Sequence, residues 1–228
     1  MSYTLVTGGA LRLGAHIAKS LAKEGRKVVI HYRSSKKEAE ALAKEIGGQS
    51  IYGDFSTLEG VDLFLQEYAA RFKETETLIN NVGNYLIAPA TKTAPASSLD
   101  LFQVNVNAPL ALVQALMPTL KQVINLGMVG ANIIRANTYA TLYNMTKLSL
   151  HMLTKSLAKE LAPNKITVNM VSPGHLENSI DLPSDLSTLP MKRSCSLEEV
   201  SRVILFLLQK ESAHITGQNI EVGGGERL

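Results

Sequence analysis

The chain has 228 residues, 45% hydrophobic and 19% charged, a composition that argues against disorder and predicts one sizeable core in a single domain, 1-228. Its net charge of +3 comes without a dense Lys/Arg run interleaved with aromatics, which argues against nucleic acid as a partner and leaves room for a small anion. The single cysteine, Cys195, cannot form an internal disulfide, and no apolar run reaches the roughly 18 residues of a membrane span, so the expected setting is the reducing cytoplasm without membrane contact.

The first element is a short run of β-formers, Tyr3 to Val6, which meets the turn Thr7-Gly8-Gly9-Ala10-Leu11-Arg12-Leu13-Gly14 and then apolar residues at helical spacing. A strand that hands over to a helix through glycines is a phosphate site, because backbone N–H groups come close to a ligand and the helix N-terminus adds partial positive charge. The octapeptide resembles the Thr-Gly-x-x-x-Gly-x-Gly turn of the short-chain dehydrogenase/reductase family, with Arg12 in place of the middle glycine as in its pteridine reductase branch. The resemblance implies that Thr7, Gly8, Arg12, Leu13 and Gly14 bind the cofactor.

Gly25 closes the first helix, and Lys27 to His31 reads as a buried second strand. Tyr32-Arg33-Ser34-Ser35-Lys36-Lys37 follows, with no carboxylate until Glu38. An acidic residue here takes a ribose 2′-hydroxyl, whereas an arginine accommodates a 2′-phosphate. A guanidinium and hydroxyls hold phosphate through charge-assisted hydrogen bonds, which predicts NADP(H) with Arg33, Ser34 and Arg12 around it. A charged helix ends at Gly47-Gly48, Ser50 to Tyr52 is a short third strand, and Asp54-Phe55 comes next. The resemblance puts an Asp here on the adenine amino group, while Asp54, Ser56 and Thr57 are also candidate caps of the helix that follows. That helix, Leu58 to Phe72, carries Val61, Phe64, Leu65, Tyr68 and Phe72 on one face.

Thr77 to Asn80 is a fourth strand ending in Asn80-Asn81-Val82-Gly83, which resembles the family's Asn-Asn-Ala-Gly turn under the adenine ribose. Tyr85 lies at the offset where pteridine reductases carry a ring that stacks on the pterin. A loop runs from 85 to 97, then a long helix contains Asn105, at the position where the family bends the helix and extends a proton relay. Val123 to Leu126 is the fifth strand, and a helix with Tyr143 and Lys147 runs to about Leu161. Lys165 to Val171 is the sixth, followed by Ser172-Pro173-Gly174 and Leu176, a segment whose backbone the family sets against nicotinamide. Ile215 to Gly225 leads into and out of a last strand. The alternation of strands and helices without repeat or linker predicts an α/β, three-layer, doubly wound parallel sheet of about seven strands, Rossmann-like, with a substrate lid around 176-195.

Tyr143 and Lys147 stand four residues apart on a helix and share a face, so the ammonium is expected to lower the phenol pKa from about 10 and ready it as a general acid. Tyr32 and Lys36 repeat the spacing, and only position in the fold separates the pairs. One departure stands out: where the family places Ser after the fifth strand, and pteridine reductases Asp, this chain has Gly127-Met128. Neither side chain donates a hydrogen bond, and a lost donor of this kind costs about 100- to 1000-fold in rate unless another group, such as Asn132 or Thr138, replaces it. The five histidines show no ligand spacing, so no metal is expected. The resemblance implies an NADPH-dependent reductase acting on a C=N or C=O bond, preferentially of a dihydropterin or dihydrofolate, with Tyr143, Lys147 and Asn105 catalytic and Tyr85 and Met128 at the substrate. The alternatives are a 3-oxoacyl-[acyl-carrier-protein] reductase or other small carbonyl reductase, and, in another class, a weakly catalytic NADP-binding sensor or scaffold. Relatives of this kind form homo-oligomers, tetramers or dimers.

Overall fold

A computed structural model describes residues 2–227. Seven strands form one sheet, β1 (Tyr3–Val6), β2 (Val28–Tyr32), β3 (Gln49–Tyr52), β4 (Thr75–Asn80), β5 (Gln122–Leu126), β6 (Thr167–Pro173) and β7 (Asn219–Val222). Their spatial order is β3-β2-β1-β4-β5-β6-β7, and every neighbouring pair is parallel.

Successive residues of a strand point to opposite faces, and the central strands spend both positions on apolar side chains. Val6, Ile30, Ile79 and Ile124 face one layer made by α1 (Arg12–Lys23), α2 (Lys36–Glu45) and α7 (Leu197–Leu207). Their neighbours Leu5, Val29, Leu78 and Val123 face the other, made by α3 (Leu58–Arg71), α5 (Ala108–Leu116) and α6 (Thr141–Leu161). A strand buried on both faces has to read as a continuous apolar run, which is why these strands were visible in the sequence. Two helices start on side-chain caps: Thr57 Oγ1 accepts from the Gly60 N–H, and Ser196 and Glu199 form a capping box at α7.

The connection order reverses between β1 and its two neighbours, β2 and β4, so the crevice at their carboxyl ends is where a doubly wound sheet takes a ligand. The long helix expected from Ser98 starts earlier, at Pro95, and is not continuous: α4 (Pro95–Phe102) passes through a π-helical turn over Gln103–Asn107 into α5. Asn105 sits in that turn, the local distortion expected of it. The segment 176-195 carries only a short 3-10 turn, Leu186–Thr188, and a bridge between Leu176 and Cys195. Among the described residues, no helix is long and apolar enough to cross a membrane.

Candidate functional site

A cavity of about 530 Å³ opens over the carboxyl ends of β1, β2, β4, β5 and β6. Its first wall is the turn after β1. Gly8 has φ +59°, and a Cβ there would lie 3.1 Å from Val82 Cγ2; at Gly14 it would lie 2.7 Å from Asn81 Nδ2. Gly8 is therefore required by its left-handed φ, and Gly14 by the close approach of the Gly8 carbonyl. Thr7 does not line the cavity. It is buried, and its Oγ1 accepts from the N–H groups of Asn81 (2.9 Å) and Val82 (3.0 Å), while Asn81 Nδ2 donates to the carbonyls of Thr7 (3.0 Å) and Gly8 (3.1 Å). Thr7 and Asn81 thus lock the β1 turn onto the β4 turn. The first turn of α1 has no side-chain cap and no acidic residue, so its N–H groups and partial positive charge are left for an anion.

Arg12, which the sequence sets beside a 2′-phosphate, has φ +53° and sends its guanidinium to the main-chain carbonyl of Asn178 in the 176-195 segment. Arg33 and Ser34 line the cavity and are exposed. Arg33 Nη1 is 3.7 Å from Asp54 Oδ1. Asp54 accepts the Ser56 N–H at 3.0 Å, a bond that with Arg33 holds its carboxyl below the ordinary range. Its side chain belongs to a smaller neighbouring groove with Tyr52 and Thr57, whereas Gly53 and Phe55 line the main cavity.

At the far end stand Tyr143 and Lys147, on the first turns of α6. Lys147 is buried, donates to the Leu126 carbonyl at 2.8 Å, and is desolvated enough to bring its pKa down to about 8. Its Nζ lies 5.7 Å from the centre of the Tyr143 ring. The electrostatics at Tyr143 run opposite to the sequence expectation. Burial first, then the negative charge of Asp181, push the phenol pKa up, and Arg227 opposes them. A spacing of four residues guarantees a shared face, but not that the ammonium escapes its carbonyl or that no carboxylate arrives from elsewhere.

Asp181 comes from the 176-195 segment. The Tyr85 hydroxyl donates to its Oδ2 at 2.7 Å, and the Tyr85 ring packs edge-to-face on Tyr143, 4.5 Å between centroids. Burial and then Asp181 raise the Tyr85 pKa as well. Asn105 is buried behind the cavity: its Oδ1 accepts the Asn84 N–H (2.8 Å), and its Nδ2 donates to the Asn84 carbonyl (2.9 Å) and to Thr146 Oγ1 (3.0 Å). It therefore ties the β4 turn to α6. Gly83 closes the same corner, since a Cβ on it would sit 3.5 Å from Lys147 Nζ.

Met128 lines the cavity, as do Leu13, Val82, Pro173, Gly174 and Leu176. Asn132 and Thr138 are exposed and lie outside it, so neither supplies the missing donor. The same cavity is lined by a pair the sequence did not reveal: Glu226 Oε2 is 2.6 Å from His175 Nδ1, and its Oε1 accepts the His175 N–H at 3.0 Å. The two residues are 51 apart in the chain, too far for any local pattern to couple them. Gly174 lets this happen, because a Cβ there would lie 2.9 Å from the Glu226 carboxyl carbon.

Comparison with known proteins agrees along the whole chain. A family profile described as Enoyl-(Acyl carrier protein) reductase matches residues 9–226. An uncharacterized oxidoreductase of Methylorubrum extorquens is 31% identical over 241 residues, spanning 98% of this chain and 96% of that protein. The 3-oxoacyl-[acyl-carrier-protein] reductase of Staphylococcus aureus is 30% identical over 238 residues, spanning 97% and 96%. Among solved structures, a blue fluorescent protein from a metagenomic library, in complex with NADPH, superposes with TM-score 0.91 at 26% identity over 100% of this chain and 98% of that one. A short-chain dehydrogenase from Burkholderia cenocepacia in complex with NADP gives 0.89 at 26% identity, over 98% and 97%.

Proposed function

The chain belongs to the short-chain dehydrogenase/reductase family, and from that premise we propose that it is an NADP(H)-dependent oxidoreductase that reduces the carbonyl of a small substrate, of the 3-oxoacyl thioester kind. The observation that carries the reading is one continuous cavity with the Gly8–Gly14 anion cradle and Arg33 at one end and Tyr143 with Lys147 at the other. The residues fit the dinucleotide: the glycines leave room for its pyrophosphate, and Arg33 and Ser34 suit a 2′-phosphate. When bound, NADPH supplies the hydride. Gly8, Leu13, Gly14, Val82 and Gly83 would hold its pyrophosphate and adenosine half, and Pro173, Gly174 and Leu176 would orient the other end. Tyr143 gives its phenolic proton to the substrate oxygen. Lys147, cationic below its pKa of about 8, stabilises the phenolate that remains, and Asn105 keeps the β4 turn registered against α6. With its pKa raised, Tyr143 is held protonated, a reservoir but a weak acid. A substrate that draws Asp181 away from it removes one of the two causes.

The relatives named as 3-oxoacyl reductases move the substrate reading away from the dihydropterin that Arg12 and Tyr85 suggested. A pterin or folate remains a second reading because of Asp181. A carboxylate beside an aromatic ring at the reaction end accepts the paired N–H groups of a 2-aminopyrimidinone, and no side chain at Met128 does so. Exposed Leu99 on α4 and Met152 on α6 support the homo-oligomer expected of this family. NADPH oxidation by the purified protein with an acetoacetyl thioester, beside dihydrofolate and a dihydropterin, tests the choice. Turnover on the thioester alone supports the main reading, and turnover on the pterin alone replaces it with the second. Silence on all, with NADPH bound, makes the protein a nucleotide-binding sensor or scaffold.

A further inference from the structure

β2 reads Val28-Val29-Ile30-His31-Tyr32, and His31 is a polar residue 2% exposed in the middle of this apolar layer. A buried imidazole demands partners for both nitrogens. Nδ1 accepts the Gly8 N–H at 3.0 Å, and Nε2 lies 3.1 Å from the Gly53 carbonyl. A backbone N–H can only donate and a carbonyl can only accept, so one state satisfies both: neutral, with the proton on Nε2. The ring is stacked on Phe55, 4.1 Å between centroids and 2° between planes, with Phe64 edge-on at 5.3 Å. The His31 carbonyl also accepts the Gly9 N–H at 3.0 Å.

His31 therefore grips two successive N–H groups of the β1 turn, and its ring reaches across to the residues after β3. Gly8, Gly53 and Phe55 all line the cavity, at the end the cofactor reading gives to adenosine. Gly53 leaves room for the stack, since a Cβ there would lie 2.7 Å from Phe64 Cδ2 and 3.0 Å from the imidazole. On the opposite side Asn81 holds the Gly8 carbonyl, so the Gly8 peptide is suspended between β2 and β4. From the geometry we infer that His31 is a positioning residue for NADP(H), fixing the phosphate-cradling turn and the adenosine wall relative to each other through the Gly8 N–H. This rests on the cofactor reading above. It predicts an effect on nucleotide affinity, not on the chemical step, because His31 is at the adenosine end and touches neither Tyr143 nor Lys147.

The test compares three variants by direct titration of NADPH binding, with thermal unfolding in parallel. Asn places an acceptor where Nδ1 stands and retains the Gly8 bond; Gln reaches only the Nε2 position; Leu retains neither. Without its Nδ1 acceptor the part-buried Gly8 N–H turns away in the free protein, and forcing it back on binding weakens NADPH by about ten- to a hundredfold. His31→Leu and His31→Gln are expected to lose that much, with kcat at saturating NADPH within about twofold of wild type, whereas His31→Asn stays within a few-fold in affinity. A role in filling the core alone gives the reverse order, since Asn leaves the largest void. If the Leu variant does not fold, the comparison of Asn with Gln decides. Equal affinities for these two, or Gln tighter than Asn, overturn the inference while the wild type binds NADPH. A wild type that binds no NADPH overturns the cofactor reading and this inference with it.

Discussion

Replacing Arg33 by Asp should invert the cofactor preference. The guanidinium is about half exposed and 3.7 Å from Asp54 Oδ1, an ion pair at the surface worth at most about 1 kcal/mol. It is thus free to turn to a 2′-phosphate, where a charge-assisted contact contributes about 1.5 to 3 kcal/mol. Asp removes that contact and adds a like charge near the phosphate, a repulsion of about 1 kcal/mol at a solvent-exposed separation near 4 Å. The sum, about 3 kcal/mol, is a loss of about a hundredfold in kcat/KM for NADPH. NADH should lose nothing and can gain, because a carboxylate here accepts a hydrogen bond from the ribose 2′-hydroxyl. The assay is the ratio of kcat/KM for the two nucleotides in wild type and variant with one substrate. A ratio shifted by less than about threefold, well under the tenfold of 1.4 kcal/mol, would refute the assignment of the end of β2 as the phosphate-selecting position.

Tyr143→Phe removes the proton donor and should lower kcat by about 10² to 10⁴ with NADPH affinity within a few-fold of wild type, read by steady-state kinetics beside a binding titration. Lys147→Met should abolish turnover without lowering the melting temperature near neutral pH. The unfolded lysine holds its proton up to about pH 10.5 but the folded one only to about 8, so the unfolded state binds more protons in that window and stability rises with pH across it. Below it the fold bears a penalty of about 3 kcal/mol, which the Met variant does not have. His31 gives the acid-side counterpart. Burial, outweighing its bond to Gly53, brings its pKa from 6.5 to about 4. Arg33 from the end of its own strand lowers it further and Asp54 beyond β3 raises it, while Gly8, Phe55 and Phe64 bring no charge. Wild-type stability should therefore fall by about 3 kcal/mol as pH drops from 6.5 to 4, and urea unfolding of His31→Asn should lack that part of the slope.

The doubly wound sheet was legible because each central strand needs apolar residues on both faces, and because Gly8 is demanded by a left-handed φ and Gly14 by close backbone approach. Arg33 was legible for a related reason, since it follows its strand directly and the strand's end fixes where it stands. The far end of the cavity was legible in the residues that line it but not in their charges. Tyr143 and Lys147 are placed by the helix, yet the phenol is set by its burial and then by Asp181, carried in by a segment with almost no regular structure. The His175–Glu226 pair escaped because it closes a gap of 51 residues. Arg12 was read toward the phosphate from its position at the turn, and in the structure its guanidinium reaches the Asn178 carbonyl instead. His31 could have been found: a histidine flanked by Val29, Ile30 and Tyr32 in a buried strand must have both ring nitrogens satisfied, and the turn after β1 is the nearest source of a donor.

The most direct test of the central claim follows the hydride itself. NADPH carrying deuterium at the transferable position of nicotinamide is incubated with the protein and an acetoacetyl thioester, and the product is analysed by mass spectrometry and NMR. The account predicts deuterium on the former carbonyl carbon, a hydroxyl proton that exchanges with solvent, and loss of labelled product in Tyr143→Phe. Labelled product formed as fast by Tyr143→Phe as by wild type would contradict it.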